Sequence, residues 1–169
     1  MDHSELEISV FTAFAEGATE LSAFDNALAV GGVQDANLIA LSSVVPPNAA
    51  ILRRPVPEGS VRLGDRLYCV LARQSTAVPG DEAWAGLRWA VDRSGRGGVF
   101  AEAWGSTEAV VASELDATIA EMVATRSAMN FAPAESAIIG GRCVDAPVCA
   151  VAIAAFLSEP WPTPAQPPR

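Results

Sequence analysis

Two adjacent serines, Ser42-Ser43, follow the apolar run Ala36–Leu41 and stand directly before Val44-Val45 and Pro46-Pro47. Ser-Ser ahead of prolines is an ordinary way to write a turn. The same pair also permits one specific reaction. A serine hydroxyl held against the carbonyl of the preceding residue can attack it, which turns the Ser42–Ser43 amide into an ester. β-Elimination then cuts the chain, and the dehydroalanine left at position 43 hydrolyses to a pyruvoyl group. The products would be residues 1–42 and residues 43–169, the second headed by a reactive carbonyl.

Few other routes to chemistry are open. All eleven basic residues are arginines, so there is no lysine to hold pyridoxal phosphate as a Schiff base. The single histidine is His3, in a terminus expected to fray. Ser-His-Asp and Cys-His catalysis therefore lack their base, and a His-containing metal site lacks its ligands, so no metal is expected. The three cysteines, Cys69, Cys143 and Cys149, form no C-x-x-C pair and read as buried small hydrophobes in a reducing compartment. Carboxylates, hydroxyls, amides or a cofactor made from the chain itself must carry any reaction.

Three polar residues sit in apolar settings. In the helix expected after Thr19, Leu21, Asp25 and Leu28 fall at i, i+4 and i+7, with Phe24 beside them. A carboxylate in such a stripe needs a partner, which a buried arginine, backbone amides or a cationic ligand could provide. Asn37 opens an apolar strand, where Asn is disfavoured and a cap or turn contact is the plain account. Glu102 ends another apolar strand between Ala101 and Ala103 and reads either as a solvent-facing residue or as an acid.

Taken together, S-A-F-D-N-A-L (Ser22–Leu28), A-N-L-I-A-L-S-S-V-V-P-P-N (Ala36–Asn48) and G-V-F-A-E (Gly98–Glu102) ahead of a Gly-Ser-led helix resemble the pyruvoyl-dependent arginine decarboxylase family. The order and spacing of the three blocks agree, and the likeness covers roughly Glu7 to Leu157. Gly31-Gly32-Val33-Gln34-Asp35 is looser than the family's Gly-rich connection, and beyond Glu102 the likeness is mainly one of pattern. The resemblance implies that Ser43 becomes the covalent pyruvoyl cofactor and that arginine is converted to agmatine and carbon dioxide. It also implies that Asp25 recognises the guanidinium by paired charge-assisted hydrogen bonds, with Leu21 and Leu28 lining the pocket along the methylenes. Asn37 would bind substrate near the pyruvoyl group, and Glu102 would return a proton to the carbon that loses carbon dioxide. The family's assembly is trimeric, as a trimer or a dimer of trimers. In a straight strand the six steps from Asn37 to Ser43 span roughly 20 Å at ~3.3 Å each, so the pocket is expected to lie between subunits. Two rivals stand beside this reading: a pyruvoyl enzyme for another amino acid, and a non-cleaving relative that serves as a binding or regulatory subunit.

The elements that must position these residues are legible in outline. Strands are expected over Glu7–Ala15, Ala36–Leu41, Arg66–Gln74, Trp84–Asp92, Gly98–Trp104, Glu135–Arg142 and Val148–Phe156. Helices are expected from Glu20 to Ala29, stopped by Gly31-Gly32, and from Thr107 to Arg126 with Val110, Val111, Leu115, Ile119, Met122 and Val123 on its apolar side. Arg53–Asp65, with two prolines and two glycines, reads as a loop. Glu108, Glu114 and Glu121 read as a solvated helix face, and Trp84, Trp89 and Trp104 as core or interface. The fold class expected is α+β, a small layered αββα sandwich of mostly antiparallel sheets with two main helices. One domain fills residues 1–157, followed by a Pro-rich tail over 158–169 expected to be disordered.

Composition sets the outer bounds. At 169 residues, 50% hydrophobic and 18% charged, the chain can bury a core. The acidic N-terminus has no signal-peptide pattern and the most apolar stretch, Val148–Leu157, is too short to span a bilayer, so a cytoplasmic protein off the membrane is expected. A net charge of −9 argues against nucleic acid as a partner and suits a cationic small molecule.

Overall fold

The computed structural model describes residues 6–162. Its organising element is the strand β9 (Val148–Glu159), V-C-A-V-A-I-A-A-F-L-S-E, buried from Val148 to Phe156. Because side chains alternate along a strand, Val148, Ala150, Ala152, Ala154 and Phe156 enter one core while Cys149, Val151, Ile153 and Ala155 enter another. A strand covered on both faces reads as a continuous apolar run, and its alanines let both neighbouring layers come close.

β9 lies between β5 (Arg66–Thr76) and β1 (Glu7–Glu16), antiparallel to both. The edges of this five-stranded sheet, ordered β2-β5-β9-β1-β4, are β2 (Asn37–Ala40) and β4 (Ala50–Arg53), each parallel to its neighbour. The second sheet is antiparallel throughout, ordered β3-β7-β6-β8, with β3 (Val44–Val45), β6 (Glu82–Val91), β7 (Gly98–Gly105) and β8 (Glu135–Arg142). Ile8, Val10, Val70, Leu87, Trp89 and Phe100 fill the space between the sheets.

The helices close the outer faces. α1 (Glu20–Val30) begins with a capping box between Thr19 and Ser22 and packs Ala23, Ala27 and Leu28 on the five-stranded sheet. α2 (Glu108–Ala124), capped by the Thr107 hydroxyl, packs Val111, Leu115 and Ile119 on the four-stranded sheet. The layers are therefore helix, sheet, sheet, helix, as the sequence reading expected. No helix among the described residues is long and apolar enough to cross a membrane.

Several expectations need correction. Two strands appear that were not anticipated: β3, only two residues long, and β4, which precedes the Arg54–Asp65 connection. Both flank the Pro46-Pro47 break, and each pairs with a strand far along the chain. α1 buries the face centred on Ala23, Ala27 and Leu28, because the two alanines allow the closest approach to the sheet. Leu21 is thus 70% exposed and Asp25 is exposed as well, so Asp25 does not stand in a buried apolar stripe. Val110 and Trp104 are about half exposed, at 53% and 51%, whereas Trp89 is in the core. Residues 158–162 are not the disordered start of a tail: Ser158 and Glu159 continue β9, and the Trp161 indole donates to Gly64 O at 3.0 Å. His3 and positions 163–169 lie outside the described residues.

Candidate active site

The chain leaves β2 in one sheet and enters β3 in the other across only Leu41, Ser42 and Ser43. Both ends of this crossing are fixed. Leu41 N donates to Cys69 O of β5 at 2.9 Å, and Phe100 N of β7 donates to Ser43 O at 2.8 Å. Between these anchors Ser43 adopts φ 64°, in the left-handed region that serine rarely occupies. A residue held there costs ~1–3 kcal/mol and persists only where its surroundings impose it. Ser43 is also buried, at 6% exposure.

β3 begins only at Val44, so β7 beyond Phe100 has no outer neighbour in its sheet. Glu102 lies on this uncovered stretch, and its Oε2 accepts the Ser43 hydroxyl at 2.8 Å. The gap ahead of β3 becomes a cavity of about 390 Å³, a volume within the ~300–1,000 Å³ usual for ligand sites. Ser42, Ser43 and Glu102 occupy one side of it with Phe100 and Ala101, while α2 contributes Glu114, Thr118 and Met122. Among the described residues no basic side chain lines the cavity, which there presents two carboxylates without a cation.

Of the sequence-predicted residues, the fold brings Ser42, Ser43 and Glu102 together. It does not bring Asp25, Asn37, Leu21 or Leu28 into that cavity. Leu28 is buried between α1 and its sheet. Leu21 and Asp25 face solvent on α1, the layer farthest from α2. Asn37 is exposed, and its Nδ2 donates to Gly64 O at 2.9 Å, which satisfies the turn that leads into β5.

Glu114, Thr118 and Met122 escaped the sequence reading as cavity residues, since Glu114 was assigned to a solvated helix face. Their i, i+4, i+8 spacing places them on one stripe. That stripe borders the buried Val111, Leu115, Ile119 stripe, which was the available signal.

The cysteines offer no competing nucleophile. All three are free and buried; burial pushes the Cys69 thiol up to about 11 and raises that of Cys149. Among the described residues there is no cluster of His, Cys, Asp and Glu able to hold a metal ion. A pyruvoyl group fits the donor set: a strained, buried serine at a sheet-to-sheet crossing, with a carboxylate on its hydroxyl and an open cavity beside it.

The profile of the family described as pyruvoyl-dependent arginine decarboxylase (PvlArgDC) matches residues 7–159. A pyruvoyl-dependent arginine decarboxylase of Halobacterium salinarum is 44% identical over 85 residues, 50% of this chain and 52% of that protein. Those of Methanothermobacter thermautotrophicus and Pyrococcus horikoshii are 38% identical over 76 residues and 36% over 93, covering 45% and 55% of this chain and 48% and 58% of theirs. The chain thus spans about half the length of the curated relatives it matches. With the profile running from the first residue of β1 to the last of β9, across Ser43, Glu102 and both sheets, the chain belongs to the pyruvoyl-dependent arginine decarboxylase family.

Proposed function

We propose that this chain cuts itself between Ser42 and Ser43 and uses the pyruvoyl group so formed to convert arginine to agmatine and carbon dioxide. One observation carries the reading: Ser43 is buried, left-handed and hydrogen-bonded to Glu102 at the edge of an anionic cavity.

Self-cleavage follows from the residues present. Ser43 Oγ bonds to the carbonyl carbon of Ser42 and the bond from that carbon to the Ser43 nitrogen breaks. The hydroxyl proton has Glu102 as its acceptor, and from there it can reach the departing nitrogen. Loss of the Ser43 α-proton then breaks the Cβ–Oγ bond and frees residues 1–42 as a carboxylate. Addition of one water and departure of ammonia leave the pyruvoyl carbonyl on residue 43.

That carbonyl supplies the electron sink for the carbon–carbon bond that breaks in decarboxylation. Glu102, beside it, delivers a proton to the substrate carbon once carbon dioxide has left. Glu102 and Glu114, unopposed by any arginine in the cavity, favour a cationic substrate.

The recognition surface is proposed to come from a neighbouring copy. α1 and the Ser43 cavity lie on opposite sides of two stacked sheets, and sheets stack about 10 Å apart. Asp25 therefore cannot reach a substrate held at Ser43 in its own chain. An exposed Asp25, without an ion pair among the described residues, and an exposed Leu21 beside it suit a surface that meets another subunit's cavity. Asp25, with Leu21 beside it, would then bind the guanidinium end within a trimer or dimer of trimers. Three free buried thiols favour a reducing, cytoplasmic compartment.

Denaturing mass spectrometry of the purified protein tests the proposal. The expected result is two chains, residues 1–42 and a pyruvoyl-headed 43–169, whose summed mass exceeds that of the precursor by water minus ammonia. Ser43→Ala should remain one chain and make no agmatine. Two fragments from Ser43→Ala would remove Ser43 as the nucleophile.

A further inference from the structure

We propose that Asp92 is a positioning residue for self-cleavage, acting through the β6–β7 turn to hold Ser43 in its left-handed backbone. The inference rests on the self-cleavage reading above.

Asp92 does not line the cavity, yet its carboxylate is wholly removed from solvent. It accepts from Ser94 N at 3.0 Å, from the Ser94 hydroxyl, from Arg96 Nε and Nη2 at 3.1 and 3.0 Å, and from Asn130 N at 2.6 Å. An ordinary Asx turn needs only the contact to the backbone two residues on. The additional bonds tie the turn to a distant segment, since Asn130 follows α2 and Arg96 Nη2 also donates to Ala128 O at 2.6 Å. One carboxylate thus fixes residues 92–97 against the end of the α2 region.

The turn in its place grips the residues that follow Ser43. Asn48 N donates to Gly95 O at 2.9 Å. Gly97, at φ +103°, passes so closely under Val45 that a Cβ there would stand 2.4 Å from the Val45 carbonyl oxygen. Val45 pairs with Gly98 and Val44 with Val99, and Phe100 N then takes the carbonyl of Ser43. From Asn48 back to Ser43 the chain is laid onto a surface that Asp92 holds still. On the other side of the scissile bond, Leu41 is fixed to β5. The positive φ of Ser43 is where these two fixed paths meet.

The device serves only the uncut chain. The φ of Ser43 is a rotation defined by the carbonyl of Ser42, and it ceases to exist when that bond is broken. The mature protein should therefore be far less sensitive to Asp92 than self-cleavage is.

Two variants test this. Asp92→Asn keeps the shape but removes the charge that gathers the turn. Gly95→Ala leaves Asp92 intact and places a Cβ 2.8 Å from Asn48 Oδ1 at φ +76°, which pushes the two turns apart. Cleavage is followed by denaturing mass spectrometry from the moment of synthesis, beside thermal melts and beside Ile153→Val, which loosens the other side of the fold. Both variants should cut roughly 10- to 100-fold more slowly than wild type, the scale of a small misplacement of reacting groups. Ile153→Val, even if its melting temperature falls as far, should cut at the wild-type rate. Once cutting is complete, kcat of the Asp92→Asn protein should equal that of wild type. Wild-type cleavage rates in both variants, or slowing in Ile153→Val that tracks its loss of stability equally, would overturn the inference alone. A wild-type chain that never separates at Ser42–Ser43 would overturn the self-cleavage reading and this inference with it.

Discussion

Ser43 and Glu102, 59 positions apart in the chain, share a 2.8 Å hydrogen bond in which the hydroxyl donates and the carboxylate accepts. In the proposed self-cleavage, the proton that Ser43 gives up would therefore have a destination in the uncut chain. The same carboxylate borders the cavity in which a substrate would react, so one residue is placed to take a proton in the first reaction and give one in the second.

Glu102→Gln separates these duties. The amide keeps the side-chain shape but cannot take up and return a proton. Cleavage should slow yet reach completion, and decarboxylation by the completed protein should fall roughly 10²–10⁴-fold, the usual worth of general acid–base catalysis. Rates of agmatine formation per pyruvoyl group measure it. Wild-type turnover in the processed variant would exclude Glu102 as proton donor.

Glu114 adds a second negative charge to a cavity with no arginine. Glu114 is exposed, so its attraction for a cation is that of an exposed pair, up to ~1 kcal/mol. Glu114→Gln should raise the KM for arginine by up to about fivefold, with kcat little changed. The increase should shrink in high salt. An arginine KM that is identical at low and high salt in both proteins would show that Glu114 does not touch substrate recognition.

The proposed sharing of the pocket between copies makes an unusual demand on mixtures. Asp25→Asn should weaken arginine binding, because loss of one partner from a desolvated charge pair costs about 2–5 kcal/mol, or roughly 30- to several-thousand-fold. Ser43→Ala should be inactive because it forms no carbonyl. Refolding the two variants together should restore part of the activity, since a Ser43→Ala copy still offers Asp25 to its neighbour's cavity. Mixtures no more active than Asp25→Asn alone would place Asp25 outside that pocket.

Asp92 also sets an acid limit on the fold. Arg96 first, then Ser94, and the Asn130 amide further on, hold its carboxyl well below the usual carboxylate range. A carboxyl with a lower value in the folded state adds stability that is complete above its unfolded value near 3.9 and is lost as pH falls toward the folded one. Urea melts should therefore show wild type weakening below about pH 4, whereas Asp92→Asn should begin weaker at pH 7 and lack this component of the slope. Parallel curves for the two proteins would contradict the assignment.

The sequence disclosed the layers because burial on two faces leaves a plain mark. The unbroken apolar run of β9 could only be an inner strand or a short core helix, and its β-branched residues favoured the strand. Ser43 and Glu102 were legible because they interrupt apolar runs. The face of α1 was not. Periodicity favoured a face with Leu21, Asp25 and Leu28, whereas in the fold the small side chains of Ala23 and Ala27 win the inward position. β3 and β4 were hidden because their pairing is with strands far along the chain, Val44 with Val99 and Ala50 with Glu7. The cavity itself depends on β3 starting only at Val44, and no local pattern announces where a neighbour begins.

The position of β1 bears on what a cut at Ser42–Ser43 would leave behind. β1 is not a flap at the edge but an inner strand, hydrogen-bonded to β9 on one side and to β4 on the other. Once severed, the segment that carries it would be held only by non-covalent contacts, while both of its neighbours belong to the longer chain. Denaturation would let the two pieces diffuse apart, and reassembly would become a meeting of two molecules, slower on dilution and absent without the short one. The uncut precursor, by contrast, folds as one chain at any concentration. A freshly made protein and one that has matured would thus have the same architecture but different recoveries from heat, with the difference set by how concentrated they are.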